Sequence, residues 1–558
     1  MAPAEGTLLL NLTRMGDLIQ STPLAVGLSR RKESGPVVAC VDRAFLPAAR
    51  LMDGVDEIVP IDLYGIAETL RRPGTGWAGT IRAAEESLAP LLTRRFRMAI
   101  NLTHTDTSAI LMYLVDAPDR RGIQISPDGH RIVRHPWMMF FLNYAINKQF
   151  TPFNLVDLYS LGGDVPVHRD PIPLSLRVPP EADRKAAERL LPLAGGSGPV
   201  VAIQAGASDP HKMWHPSSFV RVCRSLRDAV GARFLFLGGP GERELAARIR
   251  ELSDSPGSLL LAGETSLDEL AAILKRADLM ITNDTGPMHL AAAVGTPVIS
   301  LAIGPVYYSN TSPYGEGHIV FQPVPPCAPC SFAVRCTDPA CKNMVSADAV
   351  ASVAVRRLRG EEIPPRSIPD GPLFAGCEVY RSVRGEDGLL DYLPLLDRPQ
   401  TRVGRIQRAY RGVWVDSLLG RAGIPGGTVP VPAEAERQVP GILRLERAAE
   451  QGRRAAGEIL RLARASGRYA DRIRAAGETV RECSRRIREL GLACPEINGL
   501  CRMFAFQEEN MGQGPLVEAA RETRSIFRDL LERTRSLAGR VTEEVEPCWK
   551  DIGKEGTG

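Results

Sequence analysis

A lysine and several carboxylates, each placed where an apolar run stops, are the residues best suited to chemistry. Asp284 closes the run LMITND and is followed by Thr285, Gly286 and Pro287. Such a run reads as a buried parallel strand. Thr285 can cap a helix, Pro287 fits its first turn, and MHLAAAVG carries it to a glycine stop. A helix start offers open N–H groups that bind anions, phosphates above all. Lys212, in GASDPHKMWHP, is a compact cation suited to a diphosphate, and Ser208 in the same loop adds a hydroxyl donor. Glu242, in GGPGERE, can accept hydrogen bonds from ribose hydroxyls beside glycines that allow close backbone approach. LAGETS supplies a wall near the base. Asp17 comes after TLLLNL, with Gly16 before it to let the backbone turn closely. There a carboxylate is stabilised as the anion, and a simple helix cap is an equal reading. His104 and Asp106 come after MAINLT; they line the same cleft or are ordinary polar loop residues.

These residues need a scaffold, and the rhythm of the chain supplies one. TLLLNL, VVACVD, DEIVPID and MAINLT are strand-length apolar runs with helical or irregular segments between them. Alternation of this kind predicts a parallel, doubly wound sheet. A Pro-rich passage at 166–180 marks a linker, and the rhythm then resumes in PVVAIQAGA, RFLFLGGP, SLLLAG, LMITND and PVISLAIG. The expected fold is α/β: two Rossmann-like domains facing across a cleft, over 1–170 and 180–360. Ligands in such sheets sit beyond the carboxyl ends of the strands, where all of these loops lie. The aromatic, Met and Arg-rich segment 128–163 is expected to wrap the cleft or cover the first domain.

Composition narrows the classes. At 558 residues the chain has room for about three domains of ~150 residues. Its apolar share of 44% and charged share of 24% are ordinary for a globular protein. A net charge of +4 is too small to argue for nucleic acid. The N-terminal stretch has no basic flank leading into a long apolar segment, so no signal peptide is expected and the cysteines are expected to be reduced. The most apolar run, WMMFFLNYAI, is well short of the ~20 residues of a membrane span.

Taken together, NLTRMGDLIQSTP, GASDPHKMWHP, the GGPGE turn and NDTGPMHLAAAVGTP resemble glycosyltransferase family 9, the bacterial heptosyltransferases, over about Thr7 to Gly360. The resemblance implies a GT-B fold. It also implies transfer of a heptose from an ADP-activated sugar to lipopolysaccharide inner core, with inversion and without a required metal. By resemblance Asp17 matches the family's proposed base and Lys212 its phosphate-binding lysine. Asp284, Thr285 and Gly286 match the motif at the nucleotide diphosphate, and Glu242 the ribose contact. His289 belongs to the same motif, with a role in packing the helix equally open.

Cys327, Cys330, Cys336 and Cys341 form C-x2-C-x5-C-x4-C in a Pro-rich loop over 327–341. Four thiolates so spaced can close a tetrahedral zinc or iron site with no open position, which makes any metal structural; free thiols packed on the second domain are the alternative. SADAVASVAVRRLRG should be the helix that closes the second domain. A Pro/Gly/Arg-rich connector is expected over 361–440, with a helix near Arg405–Leu419, and then a helical bundle or coiled coil over 441–550. Its apolar residues recur at three and four, as at Ile459, Leu460 and Leu462, then Ile473, Val480 and Ile487, then Ile526, Leu530 and Leu537.

The leading reading is a cytoplasmic enzyme that takes an ADP-sugar donor and meets lipopolysaccharide core at the inner face of the membrane, in peripheral contact with it. A second keeps the donor and changes the acceptor to protein or another surface glycan. A third is a non-catalytic nucleotide-sugar-binding scaffold, with the C-terminal helices as a self-association surface.

Overall fold

The protein is described by a computed structural model over residues 6–71, 76–144, 147–167, 171–328, 330, 336–420, 430–465, 469–512 and 514–542. Parts of several expectations lie outside the described residues: 145–146 of the apolar run, 168–170 of the linker, 329 and 331–335 of the Cys loop, 421–429 of the connector, and 467–468 and 543–550 of the helical stretches. Two compact units divide the chain, Met1–Arg121 with Phe153–Arg398, and Gly122–Pro152 with Pro399–Gly558.

The first unit holds two sheets. In the first, β1 (Thr7–Asn11), β2 (Val37–Asp42), β3 (Glu57–Ile61), β4 (Met98–Asn101) and β5 (Asp119–Ile125) lie in the order β3-β2-β1-β4-β5. All of these pairings are parallel. β5 runs past Arg121, and its later residues pair antiparallel with β6 (Arg131–Arg134) inside the second unit. The second sheet contains β7 (Val200–Gln204), β8 (Arg233–Phe236), β9 (Leu259–Leu260), β10 (Leu279–Asn283), β11 (Val298–Leu301) and β12 (Ile319–Pro323). Their order is β12-β11-β10-β7-β8-β9, the same winding as the first.

Both faces of the second sheet are covered. Val201, Ile203, Leu279 and Ile281 join one apolar cluster, while their neighbours Ala202 and Met280 join another. A strand buried on both sides reads as a continuous apolar run, which is why these strands are legible in the sequence. In each sheet the winding reverses beside its first strand, between β1 and β4 and between β7 and β10. Such a reversal opens a crevice at the carboxyl ends.

The expected connector departs from its description. β13 (Ile368–Pro369), β14 (Cys377–Arg384), β15 (Leu390–Pro394) and β16 (Leu396–Asp397) all lie within it. β14 pairs antiparallel with β12, and β15 with β14, so the hairpin extends the second sheet; β13 and β16 form a small ladder of their own. Glu378, Arg381, Ser382 and Arg384 break up Cys377, Val379 and Val383 in β14, so the stretch reads as irregular polar chain.

Helices complete the first unit. α1 (Met15–Gln20) comes after β1, α2 (Gly286–Ala293) comes after β10, and α3 (Ala347–Leu358) packs against the helix Pro216–Val230. Ile19 of α1 shares an apolar cluster with Met288 and Leu290 of α2, and this contact brings the two sheets' switch points together.

The second unit is helical. α4 (Arg402–Leu418), α5 (Ile442–Ala463), α6 (Ala470–Ala493), α7 (Pro495–Glu509) and α8 (Leu516–Thr542) are joined by the helix Pro136–Tyr144. α5 packs against both α6 and α8. Ile459, Leu460, Leu462, Ile487, Ile526, Leu530 and Leu537 are buried, and Ile473 and Val480 are partly buried against them. α7, started by Pro495 at its first turn, has no counterpart among the three expected stretches. The segment expected to wrap the cleft or cover the first domain divides between the units: residues up to Pro152 belong to this one. The physical reason lies in its contacts. Asn143 donates to the Gly499 carbonyl at 2.9 Å, Asn510 exchanges two hydrogen bonds with the Val133 backbone, and Phe140 meets Trp414 edge-on. No helix among the described residues is long and apolar enough to cross a membrane.

Candidate functional site

The candidate site is built from the loops and helix starts beyond β1, β7 and β10. Asp284 leaves β10 almost buried, and its two oxygens have separate partners. Lys212 Nζ meets Oδ1 at 2.7 Å, and the Thr311 hydroxyl donates to Oδ2 at 3.0 Å. Burial opposes ionisation of Asp284, but the charge of Lys212, His289 and the hydrogen bonds from Lys212 and Thr311 outweigh it and hold the carboxyl below its ordinary range.

Lys212 is set by Asn283, a residue not singled out in the sequence. Asn283 is fully buried; its Oδ1 accepts the Trp214 N–H at 3.0 Å and its Nδ2 donates to the Ala205 carbonyl at 2.8 Å. One side chain thus ties both ends of the Lys212 loop to the end of β10. Ser208, on the same loop, is exposed. The ND pair at the strand end is the available signal, since Asn in a buried position needs several hydrogen-bond partners.

Thr285 occupies the N-cap of α2, but its side chain makes no cap hydrogen bond and lies 3.3 Å from the Thr282 hydroxyl. The expected side-chain cap is therefore absent, because the extended strand end turns Thr285 Oγ1 toward the neighbouring threonine. Its backbone still starts the helix, with Gly286 and Pro287 in the first turn. Gly286 is needed for space: a Cβ there would stand 2.1 Å from Met15 Cε.

Gly16 has a similar reason, and not the tight turn expected of it. A Cβ on Gly16 would lie 2.9 Å from Cδ2 of His289. The two glycines let α1 and α2 approach at their N-termini. His289 is buried, and its Nδ1 has no hydrogen-bond partner among the described residues. Burial drives its ring down to about 4, with Asp284 pulling it up and Lys212 pushing it further down, so the imidazole is neutral near pH 7.

Asp17 is the third residue of α1, whose N-cap, Arg14, makes no side-chain cap. Hydrogen bonding with the Arg14 backbone and the Thr13 side chain favours the Asp17 anion. Burial nevertheless pushes its carboxyl above the ordinary value. Those hydrogen bonds lower it, the charge of Asp284 raises it and that of Lys212 lowers it. Asp17 therefore lies within electrostatic reach of both residues from the second sheet.

The remaining candidates divide. Glu242 accepts from the Gly239 N–H at 2.7 Å and from Gln204 Nε2 at 3.1 Å, and it covers Gly206, where a Cβ would strike its Oε1. Gln204, at the end of β7, is a second residue the sequence does not mark; its Oε1 is buried without a described partner. His104 is driven down to about 4 by burial, and Asp106 is exposed in the first turn of the helix Asp106–Leu114, whose cap is Thr105.

Burial raises the Cys330 thiol, and the sulfurs of Cys327, Cys341 and Cys336 raise it further. Cys330 thus feels the charge of the other three sulfurs. Among the described residues, however, no group of three or more His, Cys, Asp or Glu is arranged to hold a metal ion.

Known proteins resemble this chain in sequence and fold. Residues 87–338 match the family described as Glycosyltransferase family 9 (heptosyltransferase). The chain is 28% identical over 290 residues to lipopolysaccharide heptosyltransferase 3 of Escherichia coli, spanning 51% of this chain and 80% of that one. It is 25% identical over 248 residues to the lipopolysaccharide core heptosyltransferase OpsX of Haemophilus influenzae, spanning 43% of this chain and 65% of that one. The crystal structure of the glycosyl transferase family 9 from Veillonella parvula aligns with a TM-score of 0.52 at 20% identity, covering 65% of this chain and 99% of that one. The likeness is one of fold, the two-sheet GT-B arrangement.

Proposed function

The chain is a family 9 glycosyltransferase through residues 87–338, and from that premise we propose that it moves a heptose from ADP-heptose to lipopolysaccharide inner core with inversion. The observation that carries the reading is the approach of α1 to α2: it sets Asp17, with its raised carboxyl, beside the Lys212–Asp284 pair. In the reaction Asp17 accepts the proton of the acceptor hydroxyl as that oxygen forms a bond to the anomeric carbon. The bond from that carbon to the diphosphate oxygen breaks, and ADP leaves with the electron pair. Lys212 and the N–H groups at the start of α2 stabilise the charge that develops there. In this reading Asp284 holds Lys212 in place until the diphosphate arrives, Glu242 takes the ribose, and Ser208 and His289 flank the donor. Gly16 keeps the acceptor helix close, and His104 and Asp106 lie on the acceptor side. Family members generally need no cofactor, and no step here uses one.

The test is turnover of ADP-heptose by the purified protein against a panel of core oligosaccharides, other glycans and peptides. Transfer to core oligosaccharide is the expected result. Transfer to peptide or another glycan would move the acceptor, a reading favoured by the helical chain beyond the family match. ADP binding without transfer to any acceptor would leave a binding protein only.

The cysteine cluster belongs to the same proposal as a separate, structural feature. Cys330 and Cys341 are raised by burial and by neighbouring cysteine sulfurs, and thiolates suit zinc or iron. Anaerobically purified protein should carry close to one metal per chain, lost when Cys327 and Cys330 are both replaced by Ser. Metal analysis that finds none, with unchanged melting of the double variant, would leave free thiols.

A further inference from the structure

The helical unit buries a cation that its described residues leave unanswered. Arg533 lies in the middle of α8 and is 7% exposed. A guanidinium does not give up its proton in a protein, so deprotonation cannot relieve its burial. Cζ lies 5.5 Å from the ring centroid of Trp414 on α4. That contact satisfies a face of the cation and none of its N–H groups. Nε is buried with no hydrogen-bond partner, and no ion pair to Arg533 is formed among the described residues. The acids that act on it through space, Asp529 and Glu532, are on its own helix and approach Arg528 instead, at 3.2 and 3.8 Å. Other arginines of α8 are treated differently: Arg535 meets Glu446 at 2.8 Å and Arg540 pairs with Asp416. Ser417, one turn beyond Trp414 on α4, also has a buried hydroxyl oxygen without a described partner.

We propose that Arg533 anchors an oxyanion site within the helical unit, taking a phosphate or carboxylate group on the N–H edge of its guanidinium while Trp414 holds its face. The planar fork of an arginine matches both groups through two parallel hydrogen bonds, and such charge-assisted bonds answer the charge and the donors together. Burial selects a small group, either a free ion or one carried at the end of a larger molecule. Ser417 is the candidate second donor.

The test uses the full chain, with melting measured at constant ionic strength in chloride. Inorganic phosphate, acetate and short-chain phosphatidic acid below its micelle concentration are titrated separately into wild type, Arg533→Met and Arg533→Lys. Wild type should gain stability saturably with at least one of them. Arg533→Met, which removes the charge at similar volume, should lose that gain while melting no lower than wild type in chloride alone. Arg533→Lys keeps the charge without the fork and should bind at least fivefold more weakly; it carries the test if the Met variant does not fold. A response to inorganic phosphate or acetate identifies a free ion as sufficient, and a response to phosphatidic acid alone identifies a lipid headgroup. No saturable gain in wild type, or equal gains in wild type and Arg533→Lys, would overturn the proposal.

Discussion

The two sheets of the first unit wind the same way, and each presents a carboxylate beyond its switch point, yet the two carboxyls are driven in opposite directions. Asp17, past β1, is raised by burial. Asp284, past β10, is also buried and is lowered because Lys212, His289 and Thr311 answer its charge. The fold supplies the position, and the neighbours decide the protonation. Two carboxylates pushed apart in this way suit different roles, one to move a proton and one to remain a fixed anion.

The sharpest way to break the comparison is Asp17→Asn. It keeps shape and hydrogen bonding and removes the proton acceptor, so kcat should fall by roughly 10²–10⁴-fold with ADP affinity nearly unchanged. Wild-type turnover would reduce Asp17 to a helix cap.

Lys212→Ala attacks the other side. It removes a cation that meets the diphosphate in ground and transition states alike, and ADP binding by calorimetry should weaken by roughly 10–10²-fold, with slower turnover. The charge of Lys212 lowers Asp17, so the acidic limb of kcat/KM should also move to higher pH. If ADP binds this variant as tightly as wild type, the diphosphate sits elsewhere.

Gly16→Ala tests the spacing between the two sides without touching either charge. The new Cβ must displace the buried His289 ring, moving α1 off α2. Turnover should fall by about tenfold with the fold retained. Unchanged activity with an unchanged circular dichroism spectrum would mean the close approach is dispensable.

The smallest effect concerns stability. His289, at about 4, lies below its unfolded value near 6.5. Between those values the unfolded chain binds more protons, so stability is fully present above about 6.5 and is lost as pH falls toward about 4. Denaturant titrations across that window should show His289→Asn flattening the slope, by roughly 3 kcal/mol in all. A slope identical to wild type would mean His289 titrates normally.

How much is legible in the sequence depends on the range of the interactions. Strands such as β7 and β10 announce themselves because burial on both faces leaves a local apolar run. Asp17, Lys212 and Asp284 stand out because they come just after such runs. Their mutual approach is not local: it depends on Gly16 meeting His289 and Gly286 meeting Met15, pairs far apart in the chain. Asn283 is hidden beside the more conspicuous Asp284, although it is the residue that holds the Lys212 loop. β14 escapes a sequence reading because Glu378, Arg381 and Arg384 break up the apolar run that marks the parallel strands. The helix Pro136–Tyr144 escapes it because its partners lie in the distant C-terminal chain and not in its own neighbourhood.

The divided make-up of the second unit has a consequence in time. Its early piece, Gly122–Pro152, leaves the ribosome before Phe153–Arg398, and only then do its helical partners appear. At roughly 5–20 residues per second that interval lasts on the order of ten seconds to a minute. Throughout it Trp137, Met138, Phe140 and Phe141, all buried in the finished protein, have no finished unit to enter. Slowing synthesis within Phe153–Arg398 should lengthen that exposure and increase capture of the nascent chain by chaperones, whereas slowing it after Arg398 should have less effect.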